Sequence, residues 1–170
     1  MAMKKISMQS LPNTRAWRTV LRRAWITGGT AAAASALTAA QCARRDGATA
    51  PAPMNAVTHA IWPRAAPREL GLSARFTLTG FAIHGCASVF WAIGFEALRA
   101  RRARTTVWSD AADAAAFSAA AWLVDYHVVP RRLTPGFETH MSNRSMLYVY
   151  GSIAAGFAAA AIVRRYASRG

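Results

Sequence analysis

The stretch FTLTGFAIHGCASVFWAIGF, residues 76–95, contains no charged side chain and is bracketed by Arg75 and Glu96. A helix needs about 20 residues to cross the ~30 Å hydrocarbon core of a bilayer. A helix on the surface of a soluble protein would carry charged residues between its apolar ones, whereas this stretch is apolar on all sides. It therefore predicts a transmembrane helix.

Three further stretches have the same character. Residues 24–43 and 145–163 contain no charged side chain and are flanked by Arg, while residues 105–130 contain three Asp but no Lys or Arg. The predicted class is all-α, a polytopic membrane protein whose four transmembrane helices form one bundle. The predicted spans are residues 24–43, 76–97, 106–128 and 145–163.

The predicted bundle forms a single domain, residues 21–166. A flexible, basic, cytoplasmic segment precedes it at residues 1–20, and a cytoplasmic tail follows at residues 167–170. The first span has the basic flank of a signal peptide, but no clear small-x-small cleavage site follows it. We interpret it as an uncleaved anchor, with a cleaved signal as the alternative.

The loop after the first span contains PAPMNAVTHAIWP, residues 51–63, which is apolar and includes three Pro. It leaves room for a helix of only two to three turns, which is too short to cross a bilayer. We expect a short amphipathic, interfacial helix here. It would lie at the outer membrane surface or be tucked against the bundle.

The distribution of charge orients the chain, which has 21 Lys and Arg against 7 Asp and Glu and a net charge of +14. Thirteen basic residues fall in the N-terminal segment, the second loop and the tail, and eight fall in the other two loops. This excess predicts a multi-pass protein of the bacterial inner membrane with both termini in the cytoplasm.

The basic residues also bear on the partners of the protein. They are split among separate segments at the ends of the spans, where they would attract anionic lipid headgroups. Nucleic acid would instead require one contiguous basic face. The expected partners are therefore the lipid bilayer and its anionic headgroups, with other membrane subunits as further candidates and no nucleic acid.

Ionisable groups inside a membrane are candidate functional residues. His84 would lie ~13 Å into the second span, and Asp113 would lie ~11 Å into the third from the opposite side. If these two helices pack face to face, the two side chains could come within one helical turn and relay protons. The alternative is an interhelical hydrogen bond that holds the bundle together.

Asp110 and Asp113 lie three positions apart on one face of the third span. Two carboxylates at this spacing could bind a cation or raise one another's pKa. The simpler interpretation is ion pairing with the basic residues of the preceding loop, which are Arg101, Arg102 and Arg104.

Several potential ligands collect on the predicted outer side: His59, Asp125, His127, Glu138 and His140. A divalent metal such as zinc could use His59, Asp125 and His127, but the sequence contains no HxxxH, HExxH or CxxC pattern. A haem would need His84 and His59 at similar depth. We therefore predict no cofactor, with a divalent metal or a haem as the alternatives.

The segments NAVTHAIWP, FAIHGCASVFWAIGFEAL and AAWLVDYHVVPRRLTPGFE resemble those of small uncharacterised four-span inner-membrane proteins from proteobacteria rich in Ala and Arg. The resemblance covers residues 50 to 165. It implies the location and the architecture, and it assigns no functional residue, since that group has neither a named family nor a known activity.

No catalytic arrangement is visible in the sequence, which lacks a nucleophile elbow and a phosphate-binding Gly loop. We therefore expect a non-enzymatic accessory or structural component of the membrane. Two alternatives stay open: a small transporter or proton relay that uses His84 and Asp113, and a membrane redox protein that binds haem or a metal.

Overall fold

The computed structural model describes residues 14–168, and every regular element in this range is helical. The predicted features of residues 1–13 and 169–170 lie outside the described residues. The helices are α1 (Thr14–Arg45), α2 (Ala52–Val57), α3 (Thr79–Arg101), α4 (Val107–Leu123) and α5 (Asn143–Ala167). A π-helical turn at Ala74–Leu78 precedes α3, and another at Val124–Val128 extends α4.

Hydroxyl side chains define where three of the long helical segments begin. Thr106 accepts a hydrogen bond from the backbone N–H of Ser109, and the Ser109 hydroxyl caps Thr106 in return. The Ser142 hydroxyl accepts from the backbone N–H of Ser145 at the start of α5, and Ser73 accepts from the N–H of Phe76 before α3. Such caps satisfy backbone donors that have no partner within the helix.

Helix α1 lies at the centre of the bundle, where it packs along both α3 and α5, and α4 packs mainly against α5. Its described range starts at Thr14, so residues 14–20, for which a flexible segment was predicted, are helical in the structure. Val20 is buried at 6% exposed, whereas residues 14–18 are exposed.

Glycine allows α1 to approach its two neighbours closely. A Cβ atom on Gly28 would lie 2.6 Å from the Cα of Val89 in α3, and one on Gly156 of α5 would lie 2.5 Å from the Cα of Ala31. Any side chain at these two positions would collide with backbone. Small residues at helix contacts are typical of bundles whose backbones pack tightly.

The contact between α3 and α4 is smaller than those of α1 with α3, of α1 with α5 and of α4 with α5. The sequence predicted α3 and α4 as antiparallel neighbours because a short basic loop joins them. They do meet near that loop, where Arg99 and Asp110 lie 2.8 Å apart, and the rings of Phe95 and Phe117 lie 6.0 Å apart further along the two helices. The close fit at Gly28, however, directs α3 mainly toward α1.

The short helix α2 is tucked against the bundle, which is one of the two placements that the sequence left open. All six of its residues are buried. The side-chain amide of Asn55 donates to the carbonyls of Glu69 and Gly71 at 2.9 and 2.8 Å, and its oxygen accepts from Thr77 Oγ1 at 2.6 Å. Asn55 therefore holds the loop in place from inside.

Two helices are long and apolar enough to cross a membrane, judged by length and composition: Ala74–Arg101 and Asn143–Ala167. Only 28% and 44% of their most apolar windows are buried inside the protein. Among the described helices, α1 and α4 do not meet the same standard. The former is rich in Ala, Gly and Thr, and the latter contains Asp110 and Asp113.

Replacing Gly156 with Ala tests the close approach of α1 and α5. We expect Gly156→Ala to lower the free energy of unfolding by about 1–3 kcal/mol, because the new methyl group forces two backbones apart. Gly151→Ala is the matched control, since a Cβ atom there meets nothing within 4 Å. Thermal unfolding of the purified variants measures their stability. Equal stability of Gly156→Ala and Gly151→Ala would contradict the close approach of α1 and α5.

Candidate functional site

Five charged side chains meet at one end of the bundle, and we call them the ionic network: Glu96 and Arg99 of α3, Asp110 of α4, and Arg164 and Arg165 of α5. Both acids are enclosed, with Glu96 1% exposed and Asp110 0% exposed. Carboxylates are almost never buried unless they are paired, so the contacts of the network decide what it can do.

Glu96 forms one half of the network. Its Oε1 accepts hydrogen bonds from Arg164 Nη2 and, at 2.6 Å, from the hydroxyl of Thr27 in α1. Its Oε2 lies 3.3 Å from Arg99 Nη1. Arg164 also donates to the Thr27 oxygen at 3.0 Å, which brings α1 into the same cluster.

Asp110 forms the other half. Its Oδ1 accepts from Arg99 Nε at 2.8 Å, and its Oδ2 accepts from Arg165 Nη2. Arg165 continues to the loop before α4, where it donates to the carbonyl and the hydroxyl of Thr105 at 2.6 and 2.7 Å. Arg99 therefore bridges the two buried acids.

The network joins all four long helices through charge-assisted hydrogen bonds, which are stronger than neutral ones. Three arginines face two carboxylates, and every carboxylate oxygen has a donor. With both acids fully engaged, the arrangement is suited to holding helix ends together.

Asp113 lies just outside the network. It pairs with Arg102 at 2.6 Å, in the manner that the simpler interpretation of the sequence predicted. Asp110 differs, because it turns inward to Arg99 and Arg165 instead of pairing with the loop arginines. The two carboxylates therefore have separate partners and do not share one cation site.

His84 is buried, 8% exposed, and faces α1. Its Nε2 lies 2.8 Å from the hydroxyl of Ser35, and the ring of Phe137 meets it edge-on at 5.8 Å. The predicted pair of His84 with Asp113 does not form, because α3 turns this face toward α1 and Asp113 pairs with Arg102. The contact to Ser35 matches the interhelical hydrogen bond given as the alternative.

His59 and His127, two of the three candidate metal ligands, are held separately. Both ring nitrogens of His59 meet backbone carbonyls, with Nδ1 2.9 Å from Ala56 O and Nε2 3.2 Å from Arg131 O. His127 lies against the Trp122 ring at 4.8 Å between ring centres. These contacts give the two histidines different surroundings.

Asp125, the third candidate metal ligand, accepts a hydrogen bond from the Tyr150 hydroxyl at 2.7 Å. Tyr150 is only 7% exposed and so turns into the bundle. His59, Asp125 and His127 thus have three different partners. Over residues 14–168, no group of three or more His, Cys, Asp or Glu is placed to hold a metal ion.

Sequence reasoning did not identify the ionic network. A signal was present, since Glu96 ends one apolar stretch and Arg164 and Arg165 end another. The sequence predicts that these two stretches end on the same side of the membrane, so the charged residues at their ends should lie at a common depth. The arginines were interpreted as topology signals alone, and Thr27 lies within an apolar stretch where nothing distinguishes it.

No family model, curated protein or solved structure matches this chain. The resemblance to small four-span proteins therefore stays a prediction, and the role of the protein must be inferred from its own residues.

Replacing Asp110 with Asn tests the network. We expect Asp110→Asn to cost about 3 kcal/mol of unfolding free energy, because Arg165 would keep its buried charge without a counter-ion and Arg99 would be left with Glu96 alone. Asp113→Asn is the matched control, with an expected cost of about 1 kcal/mol or less at its more exposed pair. Thermal unfolding of both variants provides the measurement. An equal loss of stability in Asp110→Asn and Asp113→Asn would show that the burial of Asp110 among its arginines has no special role.

A double-mutant cycle tests the hydrogen bond between His84 and Ser35. Ser35→Ala and His84→Leu should be coupled by about 0.6 kcal/mol, the usual value for such a contact between membrane helices. The control cycle combines His84→Leu with Ser118→Ala, since Ser118 bonds to the Tyr150 carbonyl instead. A coupling near zero in the first cycle would remove the proposed interhelical role of His84.

Proposed function

We propose that the protein is a multi-pass component of the bacterial inner membrane in which all four long helices span the bilayer. Both termini lie in the cytoplasm, and the role is structural or accessory, without enzymatic activity. One observation carries the proposal: apolar side chains cover the outside of the bundle, and paired charges lie within it.

The outer surface exposes large apolar side chains on every long helix. They are Trp25, Ile26 and Leu37 on α1, Phe81 and Phe90 on α3, Trp108 and Leu123 on α4, and Leu147 and Val163 on α5. Exposed large apolar side chains on every long helix are unusual for a soluble monomer. Such a surface is expected where the surrounding solvent is hydrocarbon.

The lengths of α1 and α4 are compatible with spanning. Helix α1 has 32 residues and is ~48 Å long, while the helical segment Val107–Val128 is ~33 Å long at the usual rise per residue. Both exceed the ~30 Å of the hydrocarbon core. Length is therefore no obstacle to four spans.

The three aspartates of the third span were the main objection to its insertion. Each one now has a polar partner, because Asp110 and Asp113 meet arginines and Asp125 meets a tyrosine hydroxyl. Charged residues within membranes are tolerated when they face the bundle and pair. The ion pairs lower the cost of inserting Asp110 and Asp113, and the hydrogen bond from Tyr150 turns Asp125 toward the bundle.

The position of α1 supports its retention as an anchor. Ala24, Ala31 and Ala39 are fully buried, and Thr27 donates to Glu96. A cleaved segment would take these contacts away from the centre of the bundle. We therefore favour the uncleaved anchor over a cleaved signal.

A structural role agrees with how the ionisable groups are used. The network acids are bound to arginine, and His84 is bound to Ser35. A proton relay through His84 and Asp113 and a haem- or metal-binding redox role stay alternatives. No contact in the described part of the chain favours either one.

Cysteine labelling tests the topology. With Cys42 replaced by Ala, Cys86 is exposed on the side of α3 and should face lipid. A membrane-impermeant maleimide should leave it unlabelled in intact and in permeabilised cells, and label it only after detergent or denaturant is added. Labelling of Cys86 in permeabilised cells would place that face in water and overturn the proposal.

Two loop variants serve as controls in a chain without the native cysteines. Ala65→Cys lies in the first outer loop and should be labelled in intact cells. Ala103→Cys lies in the loop between α3 and α4 and should be labelled only after permeabilisation. Both positions are exposed, so a reversed pattern would invert the orientation.

A further inference from the structure

A groove lies where α4 ends and α5 begins, on the side predicted to face outward. Its volume is about 500 Å³. Trp122, Met146 and Leu147 supply apolar walls, while Glu138 and Arg144 bring opposite charges to the same groove. Tyr126 and Asn143 complete the lining.

Both charges are held in place but neither is neutralised. Glu138 accepts hydrogen bonds from the hydroxyls of Tyr126 and Thr134 at 3.1 and 3.2 Å. Arg144 donates to the hydroxyl of Tyr148 at 3.3 Å. Across residues 14–168, neither Glu138 nor Arg144 takes part in an ion pair. The groove therefore offers one negative and one positive charge to a ligand.

The geometry points to a zwitterionic phospholipid as the occupant: we propose that this groove binds the headgroup of phosphatidylethanolamine or a lipid of the same charge pattern. The ammonium group would meet Glu138 and the ring face of Trp122. The phosphate would meet Arg144 in the first turn of α5. The acyl chains would follow Met146 and Leu147.

The presence of one negative and one positive charge in the groove distinguishes this lipid from others. An anionic phospholipid would be attracted by Arg144 but repelled by Glu138. A lipophilic cation would be attracted by Glu138 but repelled by Arg144. Trp and Tyr are typical of the boundary between membrane and water, and the groove contains one of each. The inference rests on the proposed function, because the groove must lie at that boundary.

Native mass spectrometry of the full-length protein tests the groove, with equal amounts of phosphatidylethanolamine and phosphatidylglycerol added in detergent. The unmodified protein should retain phosphatidylethanolamine preferentially. Glu138→Gln should reduce its retention about fivefold, as for loss of one partly exposed ion pair, while phosphatidylglycerol binding rises. Arg144→Gln should weaken the retention of both lipids. Arg131→Gln, an exposed change outside the groove, should alter neither.

Equal retention of the two lipids by the unmodified protein would overturn the proposal, since it would indicate only nonspecific lipid contact. An unchanged lipid ratio in Glu138→Gln would overturn it as well. Alkaline carbonate extraction separates this failure from failure of the proposed function. A chain released by carbonate is not an integral membrane protein, whereas a chain that stays in the membrane without lipid preference contradicts the groove alone.

Discussion

The burial of two carboxylates, Glu96 and Asp110, is the constraint on which the rest of the bundle depends. Neither acid can stay in an apolar interior without a counter-ion, and among residues 14–168 Arg99 is the one side chain that forms ion pairs with both. The remaining oxygens draw in Arg164 and Arg165, which places the end of α5 beside α3 and α4. The hydrogen bond from Thr27 to Glu96 then attaches the middle of α1. One electrostatic requirement thus brings the ends of three helices together against α1.

Close packing of backbones supports this arrangement along the length of the bundle. Gly28 and Gly156 let α3 and α5 approach neighbouring faces of α1. Large side chains fill the space beside these contacts, since the rings of Phe95 and Phe157 are fully buried and stack at 5.3 Å. Other large apolar residues lie on the outside, so the bundle has both a tight core and an apolar surface.

The two ends of the bundle are built differently. Charge-assisted contacts join the end that contains Glu96, whereas neutral hydroxyls hold the isolated charges of Glu138 and Arg144 at the opposite end. Paired charges stabilise the structure and are closed to ligands. Glu138 and Arg144 bond only to hydroxyls, so their charges stay available to the lipid headgroup that we propose.

The sequence by itself determined the helical class, the number and approximate positions of the long helices, and the short helix near Pro53, because runs of apolar residues between charges report directly on helix length. It also indicated the pairing of Asp113 with a loop arginine, since those residues are close along the chain. Only the tertiary structure decided that His84 faces Ser35 and that Asp110 meets Arg165. These partners depend on how each helix is rotated about its axis, and stretches that are apolar on all sides contain no pattern that specifies rotation. The close approaches at Gly28 and Gly156 specify it.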